Sequence, residues 1–161
     1  MSHPAGTPAF ENVKNQIGVC GIWCGSCIVG NGTLAKLSGK YEMLLNAYGV
    51  QDWGPTDVDY PRLQRALESL REVPACPGCR KGGGRDDCEL RACAQRKGVN
   101  ECHDCPDFME CENAELLARM RTGAQAAGMY IRLDSSDPAD LVSRWTARLE
   151  QCWPCGILFR D

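Results

Sequence analysis

Twelve cysteines dominate the chemistry open to this chain of 161 residues. They run as Cys20-x3-Cys24-x2-Cys27, Cys76-x2-Cys79, Cys88-x4-Cys93, Cys102-x2-Cys105-x5-Cys111 and Cys152-x2-Cys155. A Cys-x2-Cys turn aims two sulfurs at one cation, which is why zinc ribbons and iron–sulfur loops both use it. One such pair is a weak signal, but four of them, counting Cys24 and Cys27, point to thiolate-held metal. All twelve cysteines are therefore candidate metal ligands. Cys20, Cys24, Cys27, Cys76, Cys79, Cys102, Cys105 and Cys111 are the ones expected to bind a cofactor.

Twelve thiolates would fill three four-cysteine sites, and spacing alone does not choose the grouping. The working expectation joins Cys20, Cys24 and Cys27 with one cysteine of the C-terminal pair and leaves the middle seven for the other site or sites. Cys88, Cys93 and Cys152 fall in helical patterns, so they are the ones expected to be simple small apolar residues.

An iron–sulfur cluster of the 4Fe–4S type is the first expectation for the cofactor, and zinc the alternative. The Cys-x3-Cys-x2-Cys triplet resembles the cluster loop of radical S-adenosylmethionine enzymes, and Pro106 follows Cys105 as proline often follows cluster cysteines. Trp23 and Trp153 sit inside cysteine turns where they would exclude water. Cys76-Pro-Gly-Cys79 looks instead like a zinc knuckle. A radical enzyme itself does not fit, because the region after Cys27 reads as helices rather than alternating strands and helices.

Other chemistries find little support. The chain has two histidines, His3 and His103, so a zinc hydrolase with histidine ligands is not expected, and His103 reads as an exposed turn residue. The run Gly82 to Gly84 lacks the Gly-Lys-Ser/Thr ending of a phosphate loop and reads as a flexible connection. No catalytic residue stands out. A net charge of -3 and a pI near 5.4 do not favour nucleic acid. The absence of a leader pattern or an apolar run of membrane-spanning length points to a cytoplasmic protein with no membrane partner. That compartment keeps thiols reduced, so a disulfide framework is the minority expectation.

The elements that must position the cysteines read as mainly α. Residues 1–17 are expected to form a flexible arm and 18–161 a single small cysteine-rich domain of about four helices around irregular, metal-ordered loops. Apolar spacing predicts a helix from Thr33 to Gly49 and a second one capped by Asp59 with Pro61 in its first turn. A short helix is expected over Glu89 to Lys97, closed by Gly98, and another from Asn113 to about Ala127. The last begins at Asp137–Pro138 and carries Leu141, Val142, Trp145, Leu149 and Cys152 along one stripe. Residues 80–98 hold six Lys or Arg that could offset a thiolate centre.

The segments Val19-Cys-Gly-Ile-Trp-Cys-Gly-Ser-Cys27, Cys76-Pro-Gly-Cys79-Arg80 and Cys88-Glu-Leu-Arg-Ala-Cys93-Ala-Gln-Arg-Lys-Gly98 together resemble the cysteine-rich bacterial and archaeal family catalogued as domain of unknown function 3795. In that family the closing segment carries a proline before its last cysteine. Here Cys105 and Cys111 are one residue further apart and the proline is missing. A further cysteine common just before the Cys88 position is Asp86 or a neighbour, and the pair Cys152 and Cys155 could compensate. The resemblance implies no substrate, and the family's abundance in anaerobes is compatible with iron–sulfur centres.

Three functions follow as expectations. The first is an electron-transfer or accessory subunit of a larger enzyme, with a protein redox partner rather than an activity of its own. The second is a structural zinc adaptor presenting the acidic stretch Glu101, Asp104, Asp107, Glu110, Glu112 and Glu115 to a partner. The third is a thiol-disulfide oxidoreductase using Cys152 and Cys155.

Overall fold

The computed structural model describes residues 8–160. Helices carry it: α1 (Ala9–Val13), α2 (Thr33–Ala47), α3 (Val50–Trp53), α4 (Tyr60–Arg71), α5 (Glu89–Lys97), α6 (Ala114–Ala126) and α7 (Pro138–Gln151). Among the described residues there is no strand, only the isolated antiparallel bridges Ile17–Trp23 and Ile22–Ile131. The mainly α expectation holds.

The longer helices form where their end signals place them. Asp59 accepts from the Arg62 amide at 3.0 Å and caps α4, with Pro61 in its first turn. Asp137 caps α7 by accepting from Ala139 and Asp140. Gly98 closes α5 at φ +64, a left-handed conformation that other residues adopt only at a cost. Thr33 is the first residue of α2 rather than its cap, a place taken by Gly32 at φ +83.

One part of the expected flexible arm is not loose. Phe10, Val13 and Ile17 are buried, and the first two lie on α1. Burying these three apolar side chains offsets part of what the short segment loses on ordering. Residues 1–7, with His3, lie outside the described residues.

Two cores result. The larger gathers Phe10, Ile17, Trp23, Leu141, Val142, Trp145, Leu149 and Cys155, with Tyr130 stacked on Trp145 at 5.9 Å. Trp23 is fully buried and its indole N–H donates to the Lys14 carbonyl at 2.6 Å. The smaller consists of Val19, Leu90, Ala94 and Leu117, ringed by Cys20, Cys79, Cys88, Cys102, Phe108 and Met120. The segment 17–23 runs between them. It is tied to residues 130–132 by Trp23 N–H to Tyr130 O and Arg132 N–H to Gly21 O, and to the last cysteine loops by Cys102 N–H to Val19 O at 2.7 Å. α2 and α4 pack together as a helical pair, and α2 also rests on the C-terminal turn Cys155–Phe159.

Candidate metal centre

Short 3₁₀ turns put the cysteines in place. Those at Cys24–Ser26, Cys79–Lys81, Cys102–Asp104 and Cys155–Phe159 each begin on a cysteine. Such a turn closes over three residues and leaves the leading and following side chains on one side. In this way the Cys27 amide reaches the Cys24 carbonyl at 3.2 Å, and the Cys105 amide the Cys102 carbonyl at the same distance.

Three arms enclose one cavity of about 540 Å³ lined by Cys20, Cys24, Cys27, Cys76, Cys79 and Cys88. The first arm is the glycine-interrupted loop 18–27. The second is the turn 76–84. The third is the start of α5, where Cys88 occupies the N-cap position. Val19, Ile22, Leu90, Leu116, Met120 and Met129 give the cavity an apolar wall. A larger groove of about 710 Å³ beside α7 carries no cysteine and offers only Lys14 and Glu150 as charged groups.

Two glycines let the sulfurs in. A Cβ on Gly18 would stand 2.9 Å from Cys79 Sγ, and one on Gly83 would collide with Cys76 Sγ. The Gly82–Gly84 run is therefore not the loose connection its composition suggests. Arg91 holds it: one guanidinium nitrogen donates to the carbonyls of Cys79 and Gly83, the other to those of Arg85 and Asp86. A single half-buried arginine thus substitutes for the secondary structure that this stretch lacks.

The thiols of the cavity differ sharply. Cys79 is pulled down to about 6, first by a hydrogen bond from Cys24 and then, against its own burial, by the Val19 amide and the charges of Arg80 and Arg91. The Val19 N–H donates to Cys79 Sγ at 3.4 Å. Cys24 is pushed far up by holding the proton of that pair and by burial. Cys20 is pushed up by burial, with the charges of Cys79 and Cys88 adding to it. Near neutral pH Cys79 is therefore a ready thiolate beside the protonated thiols of Cys20 and Cys24. A thiophilic cation would have to displace those protons as it binds.

Four further cysteines lie on α5 and along the chain that follows it: Cys93, Cys102, Cys105 and Cys111. Cys102 is pushed up to about 11, first by burial and then by the charge of Cys20, with Cys111 and Cys93 adding and Arg121 opposing. Cys105 and Cys93 both act on Lys97. Cys93 is buried.

The C-terminal pair stands apart. Cys152 is exposed rather than on the buried stripe of α7, because the helix ends there, and it lies 3.7 Å from the Tyr130 hydroxyl. Burial, then this contact, pushes Tyr130 up to about 12. Cys155 is buried in the larger core, where the Asn31 amide reaches it at 3.8 Å while also donating to the Gly25 carbonyl. The N-terminal triplet thus shares its cavity with Cys76, Cys79 and Cys88 rather than with Cys152 or Cys155. Trp153, expected to shield a centre, is 85% exposed, whereas Trp23 is part of the core.

Among the described residues no group of three or more His, Cys, Asp or Glu side chains is arranged to hold a metal ion. The six sulfurs border a volume and do not converge on a point. His103 keeps its Nδ1 buried and without a partner, so it is not the exposed turn residue its position suggests. The acidic stretch is largely engaged: Glu101 pairs with Arg132 and Arg80, Asp104 with Arg132, Asp107 with Lys97 and Glu112 with Arg96. The sequence marks Arg91 only as one of six cations in residues 80–98, not as the clamp of the glycine turn, and does not mark Arg121 at all.

Among the described residues no helix is long and apolar enough to cross a membrane. Neither a curated protein nor a solved structure matches the chain. A family model described as protein of unknown function (DUF3795) matches residues 16–116, which contain ten of the twelve cysteines and leave out the C-terminal pair, and on that match the chain belongs to this family.

Proposed function

We propose that this chain is a cysteine-thiolate metal protein whose six-cysteine cavity houses an iron–sulfur cluster of the 4Fe–4S type, and that it serves as an electron-transfer or accessory subunit of a larger cytoplasmic enzyme. The observation that carries the reading is the gathering of Cys20, Cys24, Cys27, Cys76, Cys79 and Cys88 around one apolar-walled cavity. Four of these six would supply the ligands, with Cys79 as the first to bind because it is already a thiolate.

The donor set suits such a group. Sulfur ligands without histidine or water are those of clusters and structural zinc. A volume of about 540 Å³ bordered by sulfurs is better matched to a polynuclear cluster than to one ion with sulfurs about 2.3 Å away. Glycines on both loops leave the backbone able to close on the occupant.

The need for an occupant follows from the packing. Ordering a residue's backbone costs about 1–2 kcal/mol, and Leu90 is the only large apolar side chain buried between residues 76 and 111. One leucine does not hold 36 residues in place. Metal binding supplies the missing folding energy in chains of this kind.

When bound, the cluster would supply one-electron chemistry. The chain's own residues set its terms. Val19 donates a hydrogen bond to the Cys79 sulfur, and Arg80 and Arg91 put positive charge beside it, all of which stabilise the more negative reduced state. Leu90, Leu116, Met120 and Met129 exclude water and work in the opposite direction. A protein partner is then the enzyme that takes or gives the electrons.

Anaerobic purification followed by iron, sulfide and zinc analysis tests the reading. Brown protein with iron and sulfide in near-equal amounts is the expected result. Colourless protein with stoichiometric zinc would replace it with the zinc-adaptor function, and metal-free folded protein with freely titrating thiols would remove both.

A further inference from the structure

The pair Cys152 and Cys155 lies outside the six-cysteine cavity and outside the residues 16–116 that the family model matches. Cys152 caps the C-terminal end of α7, and Cys155 begins the closing turn Cys155–Phe159. The Gly156 amide donates to the Cys152 carbonyl at 2.6 Å, so the chain between the two cysteines is one tight turn. A four-residue turn brings its end Cα atoms within about 7 Å, and a disulfide spans about 4.4–6.8 Å between Cα atoms. The backbone is thus already folded for a bond between the two sulfurs, while both thiols are free. Among the described residues no third His, Cys, Asp or Glu joins them in an arrangement that would hold a metal. Two thiols in one turn without further ligands have exchange with a disulfide as their remaining chemistry.

The two thiols are unequal in the way that exchange requires. Cys152 is exposed, and the Tyr130 hydroxyl lies 3.7 Å from its sulfur. Arg148 stands one turn earlier in α7. A cation and an O–H donor near a thiol favour its thiolate, the form that attacks a disulfide. Cys155 is buried in the core with Phe10, Trp23 and Trp145. Its sulfur is reached at 3.8 Å by the side-chain amide of Asn31, a buried residue that also donates to the Gly25 carbonyl and accepts from the Thr33 amide. An incoming molecule therefore meets Cys152 and not Cys155. Trp153, 85% exposed, sits between them as an apolar contact beside the accessible sulfur.

We propose that Cys152 and Cys155 form a thiol–disulfide exchange site, Cys152 attacking and Cys155 resolving, whose co-reactant is an accessible disulfide. The Cys152 thiolate attacks one sulfur of that disulfide, a mixed disulfide forms on Cys152, and the other sulfur leaves as a thiolate. Cys155 then attacks the Cys152 sulfur, the Cys152–Cys155 bond forms, and the second half leaves. The protons of the two cysteines pass through solvent to the two departing thiolates. The incoming disulfide gains two electrons and the cysteine pair loses two. The site is independent of the cluster assigned to the six-cysteine cavity. The disulfide of a small thiol and that of a protein share this chemistry, and two probes separate them.

The test uses the full chain, purified anaerobically with its metal counted. It is equilibrated with mixtures of reduced glutathione and glutathione disulfide, quenched in acid, alkylated with iodoacetamide under denaturation and digested with trypsin. Cleavage after Arg148 and Arg160 releases residues 149–160, which contain both cysteines of the pair and no others. In the wild-type chain that peptide is expected to pass from doubly alkylated to internally disulfide-bonded as the disulfide share rises, with the metal retained. Cys155→Ser should stall with glutathione on Cys152, and Cys152→Ser should leave Cys155 reduced, with circular dichroism reporting that the helices persist. A peptide closed by one disulfide is the second probe. Faster exchange with it than with glutathione disulfide, lost in Trp153→Ala, marks a protein disulfide as the co-reactant, and equal or slower exchange marks a small one. Both outcomes support the site. Two alkyl groups on residues 149–160 at every glutathione ratio would overturn it, and this readout needs no variant. Glutathione on Cys155 of a folded Cys152→Ser protein would overturn the assigned roles. Loss of metal from that folded variant would return the pair to the metal ligands and overturn the proposal.

Discussion

The amide of Val19 donates to the sulfur of Cys79 at 3.4 Å across sixty residues of chain. That bond joins the two loops whose cysteines face each other across the cavity. It also leaves Cys79 as the thiol most ready to lose its proton, with Cys24 beside it holding one.

Alkylation of the metal-free protein should discriminate between the thiols by pH. A lowered pKa means that Cys79 is a thiolate above about 6, so its rate should rise through that range and level off by neutrality. Cys102, pushed up to about 11, should stay slow until strongly alkaline pH. Cys24→Ala, which removes the hydrogen bond, should move the Cys79 profile to higher pH. Mass spectrometry of iodoacetamide-labelled peptides reads this, and equal labelling of Cys79 and Cys102 at neutral pH would contradict it.

Substituting the glycines beside the sulfurs should damage the cavity locally. Gly18→Ala places a methyl group 2.9 Å from Cys79 Sγ, and Gly83→Ala drives one into Cys76 Sγ. Each should cost about 1–3 kcal/mol, the usual penalty of overpacking. Gly123→Ala, in α6 with nothing within 4 Å, should instead stabilise by about 0.5–1 kcal/mol. Thermal unfolding of the three variants compares them directly.

Arg91→Met should free the 79–86 turn. It removes the donors to four carbonyls, and a hydrogen bond from a charged group contributes about 1.5–3 kcal/mol. Faster amide exchange confined to residues 78–86 is the expected signature. Unchanged protection there would show that the turn is held by something else.

Glu101→Gln should be costly. The Glu101–Arg132 pair is 2.9 Å long with side chains only 5% and 7% exposed. Losing one partner of such a pair costs about 3–5 kcal/mol, here toward the lower end because Asp104 also contacts Arg132 at 3.4 Å. Adding Arg132→Met should recover part of the loss, and denaturant titrations of the single and double variants measure how much.

Much of the helical frame was legible from residue order. Asp59, Pro61, Gly98, Asp137 and Pro138 mark helix ends through interactions that span at most four residues, so their meaning does not depend on the rest of the fold. The same locality explains the misses. α1 is five residues long, too short to show a period, and forms because Phe10 finds Trp23 and Phe159. Cys152 continues an apolar stripe in sequence, yet the helix stops beneath it.

Residue types and spacing by themselves determined that this is a mainly helical, cysteine-rich chain of the DUF3795 family, with thiols as its one concentrated chemistry. Only the tertiary structure decided which thiols meet. Cys20, Cys24 and Cys27 face Cys76, Cys79 and Cys88, while Cys155 turns into the aromatic core. A helix end is written within a few residues of itself. The meeting of Val19 with Cys79, or of Arg121 with Cys20, depends on chain closure over 60 and 101 residues, and such closures are set by the packing of the whole.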